Sequence, residues 1–177
     1  MIRKILIFLA IIFIVLATTY VSKLLFFKPF SFNHFLTRQL VYDALESPEY
    51  LTYIGILEKY GYRSYNGKLS DYSLKKDIKD LKKLKKEYKI LNSYEDKDLS
   101  AEELTSKKIS LFQMRNEIDQ KTKYPYHSYP LIQMNGLHTQ ILEFMTDIHP
   151  IKDEKDAKYY LSRLEMIPIV SVSYTHL

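Results

Sequence analysis

The chain has no cysteine, no tryptophan and only four glycines among its 177 residues. Without thiols it can have no disulfide, no thiolate zinc site and no cysteine nucleophile, and the lack of disulfides is compatible with any compartment. So few glycines leave no phosphate-cradling loop; the best approach to one, "YNGKLS" at Tyr65–Ser70, reads as a turn. No useful length of sequence alternates apolar and polar residues, which argues against a sheet. No Ser-His-Asp signature is present. Nor is there a pair of histidines one helical turn apart with a glutamate between them, the usual mark of a helical zinc hydrolase.

What the chain does have is an ordinary folded composition, 46% hydrophobic and 27% charged, sufficient for one domain and an appendage. Its net charge of +5 suggests an acidic partner, nucleic acid or anionic lipid. That charge is concentrated in "LKKDIKDLKKLKKEYK" (Leu74–Lys89), where eight lysines face three acidic residues. Leu74, Ile78, Leu81, Leu84, Tyr88 and Leu91 form one apolar stripe of a helix there, with the lysines on the other faces. The run therefore reads as a solvated outer face, and it lacks the aromatic interleaving that stacks on bases.

Arg3 and Lys4 precede an apolar run from Ile5 to Val21, which "LLFF" extends to Phe27. Such a run reaches the ~20 residues needed to cross a bilayer if Lys23 snorkels to the headgroups. The basic head places the N-terminus in the cytoplasm and the body outside it, giving a single-pass cell-membrane protein. A cleaved signal peptide, with Ala17 and Thr19 as a small-x-small site and a secreted body, is the alternative. No cysteine is available to accept a lipid.

The body reads as all-α: the anchor helix, then an irregular multi-helix array that forms an incomplete domain. Ser31 or Asn33 caps a helix with Phe32, Phe35, Leu36, Leu40, Ala44 and Leu45 inward. Pro48 ends it and starts the next, with Ser47 as cap. Ser100 and Glu103 form a capping box ahead of a helix whose core includes Phe112 and Met114. A last helix begins near Asp153 and turns Ala157, Tyr160, Leu161 and Leu164 inward.

"YPYHSYPLIQMNGLHTQ" (Tyr124–Gln140) gathers aromatics, prolines and two histidines. His127, His138 and His149 recur every eleven residues. On one helix each step would span roughly 16 Å, too far to share a metal. Pro130, Gly136 and Pro150 interrupt the run, and Glu143, Asp147 and Asp153 lack ligand spacing. The histidines read as structural or surface groups, and Gly136 as a point of close backbone approach. Tyr126, His127, Asn135, Gly136 and His138 are cleft-wall candidates; no catalytic residue, metal ligand or cofactor is assigned.

"ESPEYLTYIGI", "LSDYS", "LSAEEL" and above all "YPYHSYPLIQMNGLHTQILEFMTDIHPIKDEKDAKYYLSRLEMIP" together resemble the N-terminal region of the bacterial domain of unknown function 885 family, from about Phe32 to Pro168. The resemblance implies a mostly helical, exported protein, longer than this chain, with a histidine–glutamate–histidine zinc motif in its C-terminal part. It implies a zinc hydrolase acting on peptide bonds, in which zinc polarises the carbonyl and glutamate activates water. No position here matches those ligands or that glutamate, so the zinc would belong to a full-length parent. After Pro168 no helical stripe is expected, and "SVSYTHL" resembles a translated adapter. The expected organisation is residues 1–28 anchor, 29–168 helical part of a larger domain and 169–177 truncated or non-native tail. The implied partners are the membrane through residues 5–27, the C-terminal remainder of the same protein and a peptide substrate, but no nucleic acid. A non-catalytic, membrane-tethered protein-binding module is the alternative.

Overall fold

A computed structural model describes residues 2–125, 134 and 136–175, with only the backbone for 2–6 and 171–175. Seven α-helices follow one another: α1 (Ile2–Phe26), α2 (Phe32–Glu46), α3 (Pro48–Ile54), α4 (Leu74–Asn92), α5 (Ala101–Lys123), α6 (Leu137–Glu143) and α7 (Glu154–Thr175). There is no strand among the described residues, so the chain is all-α. Serines set the starts of four helices. Ser31, Ser47, Ser73 and Ser100 each accept a hydrogen bond from the backbone amide three residues on, and Glu103 completes the capping box. Each such cap is worth ~1 kcal/mol. α3 stops at Gly55, whose φ of 63° is left-handed and disfavours any residue with a Cβ.

Two apolar clusters divide the body. Phe32, Phe35, Leu91 and Tyr94 pack where α2 meets the end of α4, with Leu111 and Met114 of α5 against them. Leu69, Ile141, Phe144, Met145 and Val170 form the second, joining α6, the wide turn Phe144–Ile148 and α7. Lys76 and Lys83 of α4 both reach Glu46 at 3.0 Å, tying α4 to the end of α2.

α1 carries an apolar stretch, Ile7–Phe26, long enough to cross a membrane. An α-helix leaves its last carbonyls without intrahelical donors. Here the body supplies them. Arg38 donates to the Leu24 and Phe27 carbonyls (3.3 and 2.5 Å), Tyr42 to that of Leu25 (2.6 Å) and Lys86 to that of Phe26 (3.3 Å). Arg38 also pairs with Glu87 at 2.5 Å, and both side chains are buried. α1 therefore ends in fixed contact with α2 and α4.

Inward assignments on α2, α4, α5 and α7 need correction. Leu40 and Leu45 of α2 are exposed, as are Leu74 and Ile78 of α4. Phe112 is 67% exposed, because α5 meets α4 along only one side and turns Phe112 away from it. In α7 Leu161 and Leu164 face solvent, while Asp156, Arg163 and Val170 are buried. At 100° per residue this rotates the inner face by roughly a quarter turn from the apolar stripe, because a polar network occupies the core side. α7 also stays helical through Pro168 to Thr175, where no helical stripe was expected.

Candidate functional site: a buried arginine network

Arg163 is fully buried on the inner face of α7 and is surrounded by acceptors from three segments. Its Nε donates to the Lys68 carbonyl at 2.8 Å. Nη2 donates to Thr52 Oγ1 (2.8 Å) and to the Tyr65 carbonyl (3.1 Å), and Nη1 lies 2.7 Å from His149 Nδ1. The Phe144 ring stacks against the guanidinium, its centroid 4.7 Å from Cζ. Among the described residues no carboxylate touches it. Burial pulls the Arg163 pKa down to about 10, opposed by the charge of Glu49, so the group stays cationic at neutral pH.

An arginine can only donate, so His149 Nδ1 must accept and the ring proton sits on Nε2. Burial, then the Arg163 charge, lower the His149 pKa, with partial opposition from the Asp156 carbonyl. The ring is therefore neutral at pH 7. Its Nε2 is buried, and Tyr160 packs edge-on at 5.2 Å.

The network continues outward. Thr52 Oγ1 is 2.8 Å from Asn66 Oδ1, Asn66 Nδ2 donates to Glu58 (2.9 Å), and Glu58 accepts from Lys152 (2.8 Å). Arg63 clamps the start of α7, donating to Asp153 (2.8 Å) and Asp156 (2.9 Å). Gly67 lets α7 approach this turn, since a Cβ there would come within 2.8 Å of Tyr159 Cδ1. The result is a rigid polar wall joining α3, the Ser64–Gly67 turn and α7.

The histidine-rich passage is described only in part. Tyr126, His127 and Asn135 lie outside the described residues. Gly136 is buried at the start of α6, and its carbonyl accepts from Thr139 Oγ1 at 2.7 Å; His138 is exposed on α6. Neither belongs to the Arg163 network. Beside them runs a cleft of about 290 Å³ lined by Glu49, Tyr72, Leu137, Ile141, Phe144 and Ile148. Among the described residues no group of three or more His, Asp or Glu side chains could hold a metal ion. His149 does not fit zinc, because its lone pair faces a fixed cation 2.7 Å away.

A family model described as bacterial protein of unknown function (DUF885) matches residues 48–176, well over half of the chain. The chain belongs to the DUF885 family. The DUF885 match begins at Pro48, the first residue of α3, later than the expected Phe32, and runs past Pro168. It contains every member of the Arg163 network and leaves α1 and α2 outside. No curated protein and no solved structure matches the chain.

Sequence reasoning missed Arg163, Asp156, Thr52 and Asn66. The available signal was Asp156, Tyr160, Arg163, Ile167 and Val170, spaced four, three, four and three residues apart, which share one helical face.

Proposed function

We propose that this chain is the membrane-anchored scaffold part of a zinc-dependent, peptidase-like envelope protein, with its body outside the cytoplasm. In this reading the zinc ligands and catalytic glutamate come from sequence other than the described residues. The supporting observation is the Arg163–His149 pair, which commits the one deeply buried histidine described to structure while bracing the family-matched helices. The 29–168 body then acts as one unit of a larger fold, and the cleft-wall residues Tyr126, His127, Asn135, Gly136 and His138 face a peptide substrate.

The test is to extend the reading frame from the source locus and assay membranes for chelator-sensitive hydrolysis of a mixed peptide library. Activity is expected from the extended frame and not from this chain alone. Chelator-sensitive hydrolysis by this chain alone would refute the scaffold reading. An extended frame without a His-Glu-x-x-His-type helix would remove the peptidase reading. A C-terminal alkaline phosphatase fusion checks orientation, with activity expected outside the cytoplasm.

Exposed Ile109, Phe112, Leu161, Leu164 and Ile169 favour a second reading, a tethered module that binds a protein partner. A monodisperse, cooperatively melting full chain in mild detergent supports the module. Aggregation with loss of cooperativity supports the scaffold.

A further inference from the structure

We propose that the lysine face of α4, together with Lys23 and Lys28, docks anionic phospholipid headgroups where the anchor leaves the bilayer. This rests on the reading of α1 as a membrane anchor. Position is the first argument. The contacts of Lys86 and of the Arg38–Glu87 pair with residues 24–27 fix the C-terminal half of α4 beside the end of α1. Lys28 links the same region, donating to the Ser93 carbonyl at 2.9 Å.

Charge is the second. At 100° per residue, Lys75, Lys79, Lys82, Lys86 and Lys89 fall within a stripe of about 80° on α4. The acids of α4 are already engaged: Asp77 with Lys121, Asp80 with Lys76 and Glu87 with Arg38. Among the described residues, neither these five lysines nor Lys85 has a carboxylate partner. The positive charge is thus uncompensated along one face, next to the anchor.

The third argument is the surrounding chemistry. Tyr20, an aromatic of the kind that settles at headgroup level, stacks on Phe30 with centroids 5.4 Å apart, and exposed Phe26 and Phe27 add apolar surface beside it. Lys23 lies over the Phe30 ring at 4.8 Å. On α4, exposed Ile78 joins Leu81, Lys82, Lys85, Lys86 and Lys89 around a concavity of about 470 Å³. Ammonium groups beside apolar side chains suit a phosphodiester with its acyl chains. A basic segment beside a membrane helix attracts anionic lipid by ordinary surface electrostatics. Nucleic acid would find no stacking side chains between these lysines.

The test reconstitutes the full chain in phosphatidylcholine bilayers and measures, by electron spin resonance, its preference for spin-labelled phosphatidylglycerol over spin-labelled phosphatidylcholine. Wild type should prefer phosphatidylglycerol at least about threefold at low salt, and the preference should fade in high salt. The variant Lys82→Gln/Lys85→Gln/Lys86→Gln/Lys89→Gln should drop towards no preference. A control removing equal charge elsewhere, Lys97→Gln/Lys108→Gln/Lys123→Gln/Lys155→Gln, should keep it. Equal preference in wild type and the α4 variant, or equal loss in both variants, overturns the proposal. Failure of the anchor reading is separately visible, because alkaline carbonate would then release the chain from membranes.

Discussion

Arg163 Nη1 and His149 Nδ1 meet at 2.7 Å with both side chains buried, and the contact fixes the tautomer of the imidazole. The guanidinium keeps its proton and the imidazole remains neutral. A buried cation without a touching carboxylate is held by carbonyl dipoles and an aromatic face. Removing it leaves those acceptors unpaired in a place water cannot easily reach.

Arg163→Ala strips donors from the Lys68 and Tyr65 carbonyls and from Thr52. We expect a loss of ~3–5 kcal/mol in denaturant unfolding followed by circular dichroism of the full chain in detergent. A loss below ~1 kcal/mol would show that the network does not brace α7.

Stability should fall on mild acidification because of His149. Its folded pKa is lowered by burial and by Arg163, so the unfolded chain binds more protons in this range. The contribution is complete above the unfolded value of ~6.5 and is lost as pH falls below it towards the folded pKa. Melting temperatures at pH 7.5 and 5.5 should differ more in wild type than in His149→Gln. Equal differences would remove His149 as the cause.

Gly67→Ala places a methyl group 2.8 Å from Tyr159 Cδ1. The φ at Gly67 needs no glycine, so the cost is steric, ~1–3 kcal/mol. Adding Tyr159→Ala should recover part of it, and a double-mutant cycle with no coupling would contradict the contact.

Arg38→Met should loosen the join between α1 and the body. Hydrogen exchange at amides 24–28 is expected to speed up, because breaking a buried pair leaves Glu87 uncompensated. The double variant Arg38→Met/Glu87→Leu removes that stranded charge yet should still exchange faster than wild type, since the Leu24 and Phe27 carbonyls remain without their donor. Wild-type protection in the double variant would show that the carbonyl contacts are dispensable.

The local elements were legible in the order of residues alone. A serine followed by a free amide three residues on is a short-range device, so Ser47 and Ser100 were legible as helix starts and Ser31 as one of two candidates, while Ser73 went unread. The apolar run before Phe27 likewise declares a membrane-length helix without reference to any other part of the chain. Which faces turn inward was set by long-range packing. Arg163 reaches Thr52 across more than a hundred residues, and apolar periodicity gives no weight to an arginine whose acceptors come from distant turns. The lysine face of α4 shows the same limit. Its pattern fits solvent equally well, and its place beside α1 follows from Arg38, Tyr42 and Lys86 converging on four carbonyls at the end of that helix. Hydrogen bonding and charge depend on partners brought together by folding, whereas capping and periodicity are written within a single turn or helix.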